Sequence, residues 1–158
     1  MRRRLGCAAL LAAVFLLGAC STPPRPISSG FSGRWALTVQ SDPPSQYSAQ
    51  FEWQGDARAG ELWLTSPLGS TLARLSWNPS RSQLTQAGRV QTADTPEQLL
   101  RQLVDVDLPL ATLHDWLQGR PTPLAGWQVD VSDQVSGRLV FTRLNPLPVA
   151  QLRIALDR

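Results

Sequence analysis

Lysine is missing altogether from these 158 residues, and histidine, methionine and tyrosine occur once each. Cysteine occurs only as Cys7 and Cys20. Zinc sites draw several imidazole or thiolate ligands from set spacings, so a single histidine excludes the usual patterns. Gly-rich phosphate loops are lacking too: "PLGS" and "GRPTP" match none. The lone histidine, His114, precedes Asp115, but adjacent helical positions point in different directions, so the two do not form a base and its orienter. The carboxylates stand singly between apolar runs. No catalytic residue, metal or cofactor is expected, and His114 reads as a surface or packing side chain.

What is present begins with "MRRRLGCAALLAAVFLLGAC". Three arginines, a short apolar run and small residues describe a secretory signal peptide over residues 1–19, too short for a stable membrane span. Leu17-Gly18-Ala19-Cys20 resembles the lipobox of bacterial lipoproteins, whose cysteine becomes the acylated N-terminus. Cys7 falls inside the signal, so the exported chain keeps one cysteine and no internal disulfide. Each buried methylene contributes about 0.8 kcal/mol and a single acyl chain anchors only marginally; the several chains of lipoprotein modification would hold Cys20 in a membrane permanently. Ser21 rather than Asp follows, which resembles the signal for sorting to the outer membrane, lipid-anchored at its periplasmic face. Loss of Arg2, Arg3 and Arg4 leaves 12 basic residues against 12 acidic ones. The whole-chain excess of positive charge is therefore a property of the leader, and no nucleic acid is expected as partner. Residues 20–30, the lipidated end and "STPPRPISSG", form a Pro/Ser linker, leaving 31–158 as one domain.

From Phe31 the apolar period is mostly two. "QYSAQFEWQ" puts Tyr47, Ala49, Phe51 and Trp53 on one face and polar residues on the other, a half-buried antiparallel strand. "RWALTVQ", "ELWLTS", "STLARLSW", "SQLTQAGRVQT" with a turn at Ala87-Gly88, "GWQVDVS", "GRLVFTRL" and "PVAQLRIALD" add further strands. Mid-chain the period changes. Thr95-Pro96 opens a helix, with Gln98 placed to complete a capping box, and "LPLATLHDWLQGRPTP" makes a second one ended by Gly119 and Pro121. The expected fold is mainly β (α+β): a curved antiparallel sheet of about nine strands, with two short helices inserted mid-chain over one face. Six tryptophans, too large to bury easily, suggest a concave apolar space left between sheet and helices. Its candidate lining is Trp35, Leu37, Phe51, Trp53, Leu62, Leu64, Leu75, Trp77, Trp127 and Phe141, with Leu99, Leu103, Leu113 and Trp116 closing it from the helices. Leu62 and Leu64 alternate with Trp63, so only one set can face inward; the leucines are preferred.

One hairpin tip is out of character. Pro67-Leu68-Gly69 has the proline and glycine a turn needs, but Leu68 has no core to enter there.

Several segments together resemble the LolB family of outer-membrane lipoprotein receptors: Gly33-Arg34 opening the first strand, "FEW" at 51–53, "LTSPLGSTLARLSW" at 64–77, "LPLATLHDWLQGRP" at 108–121 and "GW" at 126–127. They span most of the mature chain in the family's order. The resemblance implies an open half-barrel with helices closing a hydrophobic cavity for the acyl chains of passenger lipoproteins. It implies as partners a LolA-like periplasmic carrier, the passengers, and the lipid bilayer, met by Cys20 acyl chains and by a protruding Pro67-Leu68-Gly69 loop. A monomer is expected. This chain departs from the family pattern in the short "TPLA" before Gly126-Trp127, where another strand pair is usual, in a Pro/Ser linker where an N-terminal helix is expected, and in a C-terminus without an aromatic. A lipoprotein that binds glycolipid, or a structural envelope lipoprotein, would share the anchor but need no exposed Leu68.

Overall fold

The computed structural model describes residues 30–157, so the signal segment, Cys20 and most of the linker lie outside the described residues. Nine strands form one antiparallel sheet: β1 Gly30–Val39, β2 Ser45–Gly55, β3 Gly60–Thr65, β4 Thr71–Asn78, β5 Arg81–Gln86, β6 Arg89–Ala93, β7 Trp127–Asp130, β8 Arg138–Arg143 and β9 Ala150–Leu156. Their spatial order is β6-β5-β4-β3-β2-β1-β9-β8-β7, with β6 and β7 as edges that do not pair with each other. The sheet is therefore an open half-barrel. Helices α1 Pro96–Val104 and α2 Leu110–Leu117 carry the chain from one edge to the other.

Alternation sets the inner face. Along β2 the buried residues are Ala49, Phe51 and Trp53; along β4 they are Ala73, Leu75 and Trp77; along β8 they are Leu139 and Phe141, with Arg143 next in phase. One-sided alternation of this kind is what an antiparallel sheet with one wet face requires. Tyr47 shares the phase of Phe51 but, near the strand's free end, remains 42% exposed. In β3, Leu62 and Leu64 point inward, and Trp63 lies outside with the Arg74 guanidinium 4.5 Å over its ring.

Gly33 explains itself through β9. It pairs with Leu156, and a Cβ built on it would stand 2.2 Å from the Ala155 carbonyl oxygen. Only a residue without a side chain lets the two backbones come this close. The β5–β6 hairpin turns at Ala87-Gly88, both at positive φ, as a two-residue primed turn demands.

The helices differ from expectation in one local detail. Thr95 is the N-cap of α1 with Pro96 following, but its side chain makes no capping bond. Glu97, not Gln98, is engaged: its Oε1 accepts the Leu110 N–H at 3.1 Å. The capping box is thus replaced by a tie between α1 and the start of α2. Helix α1 packs on β4, β5 and β6. Helix α2 reaches the other half of the sheet through Trp116, whose ring lies 4.6 Å from Phe141 and 5.5 Å from Trp127.

Candidate functional site: an apolar cavity and a projecting leucine

Between sheet and helices lies a cavity lined only by apolar residues. Strands supply Trp35, Leu37, Phe51, Trp53, Leu62, Leu64, Trp127, Leu152 and Ile154; the helical layer supplies Leu100, Val104, Val106, Leu108, Leu113 and Leu117. Eight residues expected on its wall are therefore brought together: Trp35, Leu37, Phe51, Trp53, Leu62, Leu64, Leu113 and Trp127. Leu75, Trp77, Leu99, Trp116 and Phe141 lie in the packed core without bordering the cavity, and Leu103 packs against that core. Sequence reasoning missed Leu152 and Ile154, although the alternation of "AQLRIAL" displays them. It also missed Val106 and Leu108, which sit between the helices, where neither helical nor strand period applies.

The free volume is ≈ 70 Å³. Pockets for small molecules usually offer roughly 300–1,000 Å³, so the cavity as it stands is largely filled by its own side chains. Its wall is held by aromatic contacts: Trp53 meets Trp77 edge-on at 5.1 Å, and its indole N–H donates to the Gly55 carbonyl at 3.2 Å. The Trp35 indole N–H is buried and has no hydrogen-bond partner among the described residues.

His114 is part of this packing. Its ring lies 5.7 Å from Trp53 and 5.8 Å from Phe31. The neighbouring Asp115 turns elsewhere, accepting from the Arg120 guanidinium and from Thr122 Oγ1 at 2.7 Å. Those two hydrogen bonds, the arginine's first, hold the Asp115 carboxyl below the usual carboxylate range. The pair is thus split between an aromatic cluster and a surface ion pair.

The β3–β4 hairpin projects beyond the sheet. The Ser66 N–H donates to the Ser70 carbonyl at 2.8 Å, the Gly69 N–H to the Ser66 carbonyl at 2.9 Å, and the Ser70 N–H to Ser66 Oγ at 3.1 Å. Gly69, at φ +85°, closes the three-residue tip. These bonds hold the loop without help from Leu68, which is 94% exposed.

A half-barrel whose inner face is apolar, covered by helices rather than by a second sheet, and which holds a leucine into solvent, places the chain among cavity-bearing β-proteins. A family model described as "Outer membrane lipoprotein LolB" matches residues 30–143. An "Outer-membrane lipoprotein LolB" from Bordetella petrii is 35% identical over an alignment covering 90% of this chain and 87% of that protein. Proteins of the same description from Thiobacillus denitrificans and Photorhabdus laumondii are 34% and 33% identical, over 83% and 77% of this chain and 74% and 68% of theirs. The chain belongs to the outer membrane lipoprotein LolB family. Its role is accordingly lipoprotein localisation to the outer membrane, where it resides as a lipid-anchored protein.

Proposed function

We propose that the protein accepts the acyl chains of a passenger lipoprotein from a LolA-like periplasmic carrier into its cavity, then releases them into the outer membrane. It acts as a monomer, without catalysis, held by acyl chains on Cys20. The observation that carries this reading is the conjunction of a wholly apolar cavity with a braced hairpin whose Leu68 is 94% exposed. A glycolipid carrier would account for the first and not for the second.

The energetics are modest. A tenfold bias at each hand-over needs only about 1.4 kcal/mol, which a better-fitting apolar surface supplies. Because the cavity is so small, the helical layer moves outward to admit a chain. Exchange is favoured when the passenger's methylenes replace the side-chain contacts given up, at about 25 cal/mol per Å² of apolar area. Burying Leu68 in lipid is worth about 1.5–3 kcal/mol: too little to anchor a protein, enough to orient one already anchored.

A two-stage transfer assay tests this. Carrier loaded with an acylated lipoprotein is mixed with the protein, made as Cys20→Ala to remove its own lipid, and with the same protein carrying Leu68→Glu; liposomes follow. Both proteins take the passenger, and only the one retaining Leu68 delivers it. If neither takes it, the receptor reading is overturned.

A further inference from the structure

The antiparallel register sorts the turns of the sheet into two rims. One rim carries residues 40–44 between β1 and β2, the tip 66–70, the Ala87-Gly88 turn and the β8–β9 loop 144–149. The other carries 56–59, 79–80, the end of β6, 131–137 and Asp157. Of the large apolar side chains exposed among the described residues, Tyr47, Leu68, Leu72, Val90, Leu144 and Leu147 lie on the first rim or within three residues of its turns. Only Val135 belongs to the second. Charge is distributed the opposite way. Counted over the same span, the first rim has Asp42, Arg89 and the buried Arg143, whereas the second has Asp56, Arg58, Glu61, Arg81, Asp94, Asp130, Asp133, Arg138 and Asp157.

We infer that the whole first rim is a bilayer-docking surface, and that the β8–β9 loop, through Leu144 and Leu147, is a second apolar foot beside the Leu68 tip. This rests on the reading of Leu68 as a membrane contact and extends it. Leu147 is 75% exposed and Leu144 38%. Their loop is built to hold them: the buried Arg143 donates from Nη2 to the Pro148 carbonyl at 3.0 Å. The Gln40 N–H donates to the Val149 carbonyl at 2.8 Å, and the Leu144 N–H to the Gly126 carbonyl at 2.7 Å. Four strand spacings separate the β3–β4 tip from the β8–β9 loop, roughly 20 Å along the sheet at about 4.8 Å each. Two tips that far apart on one curved rim meet a plane together, and their lack of charge suits an acyl layer.

The tether agrees with this occupant. Strand β1 starts at Gly30 on the charged rim and ends at Val39 on the apolar one, about 30 Å away at roughly 3.3 Å per residue. Residues 20–29 span at most roughly 33–36 Å when fully extended. A lipid on Cys20 and the apolar rim can therefore share one bilayer surface, with roughly 3–6 Å of tether to spare.

The test places a reporter on each foot. Leu68→Cys, Leu147→Cys and Val135→Cys are made in the full mature chain, lipidated at Cys20, so that each carries one free thiol for an environment-sensitive fluorophore. The proteins are reconstituted in phosphatidylethanolamine–phosphatidylglycerol vesicles containing a spin-labelled quencher lipid. Positions 68 and 147 are quenched to similar extents, several-fold above position 135. Quenching at 68 without 147 overturns the second foot and leaves the Leu68 reading standing. Absence of quenching at both overturns the two together. Shielding of 147 by the carrier, with no quenching by lipid, also overturns it by showing that the foot meets a protein. As a functional readout, Leu147→Glu slows delivery to vesicles about tenfold with uptake from the carrier unchanged; equal loss of uptake overturns the assignment.

Discussion

Leu113→Ala separates lid opening from global stability. Leu113 is 9% exposed, sits on the middle of α2 and borders the cavity. Truncating a buried leucine costs about 2–5 kcal/mol, the larger values going with sites that cannot collapse. Here the side chain already borders free space, so a value near 3 kcal/mol is expected. At roughly 3 °C per kcal/mol for a domain of this size, Tm falls by about 10 °C. If uptake requires α2 to lift from the sheet, much of that energy is removed from the closed state alone. A share of 1.4 kcal/mol then makes the open state tenfold more populated. Uptake of a fluorescent fatty-acyl probe, followed by stopped flow, is expected to accelerate about tenfold, and amide exchange in α2 to accelerate with it. Leu139→Ala is the control: Leu139 is 1% exposed on β8 and does not itself border the cavity. It costs similar stability and leaves the uptake rate unchanged. Slower uptake in Leu113→Ala, or equal acceleration in both variants, would refute the opening step.

Three further outcomes are expected. Trp116→Ala removes a fully buried ring, its contacts with Phe141 and Trp127, and a 2.8 Å bond from its indole N–H to the Thr122 carbonyl; urea denaturation is expected to show a loss of about 3–5 kcal/mol. Gly33→Ala forces β1 away from β9 at the middle of the sheet, so a lower Tm accompanied by faster amide exchange in both strands is expected. The Asp115 carboxyl titrates below its unfolded value of 3.8, so its contribution is complete above that value and is lost as pH falls through the folded one. Acid titration below about pH 4 is expected to release the segment after α2, monitored by Trp116 fluorescence, and Asp115→Asn is expected to remove that step.

Much of the sheet was legible because its physics is local. The alternation in "QYSAQFEWQ" is a consequence of the pleat and survives any tertiary arrangement, and the turn at Ala87-Gly88 is set by its own residues. Trp63 was the ambiguous case; β3 resolves it by pointing both leucines inward and leaving the indole to Arg74 and Glu61. The helical layer was less legible because its contacts are non-local. The stripe Leu99, Leu100, Leu103 and Val104 does not say which part meets β4–β6 and which meets the cavity. The structure gives the cavity Leu100 and Val104. Glu97 bonds a residue thirteen positions away, which no capping pattern anticipates. Leu68 was visible for the opposite reason: a turn that needs a proline and a glycine has no use for a leucine.

The unjoined edges β6 and β7 make the half-barrel mechanically compliant. In a closed barrel every strand is stapled to two neighbours, and widening the lumen means tearing a ladder of backbone hydrogen bonds. Here, among the described residues, the material across the gap is the α1–α2 segment, with α1 riding on β4–β6 and Trp116 of α2 on β7 and β8. The interior can dilate along the seam at Val106 and Leu108 with every inter-strand bond intact. What resists is side-chain contact, which an incoming hydrocarbon chain replaces in kind. The sheet is thus a leaf spring rather than a rigid cup.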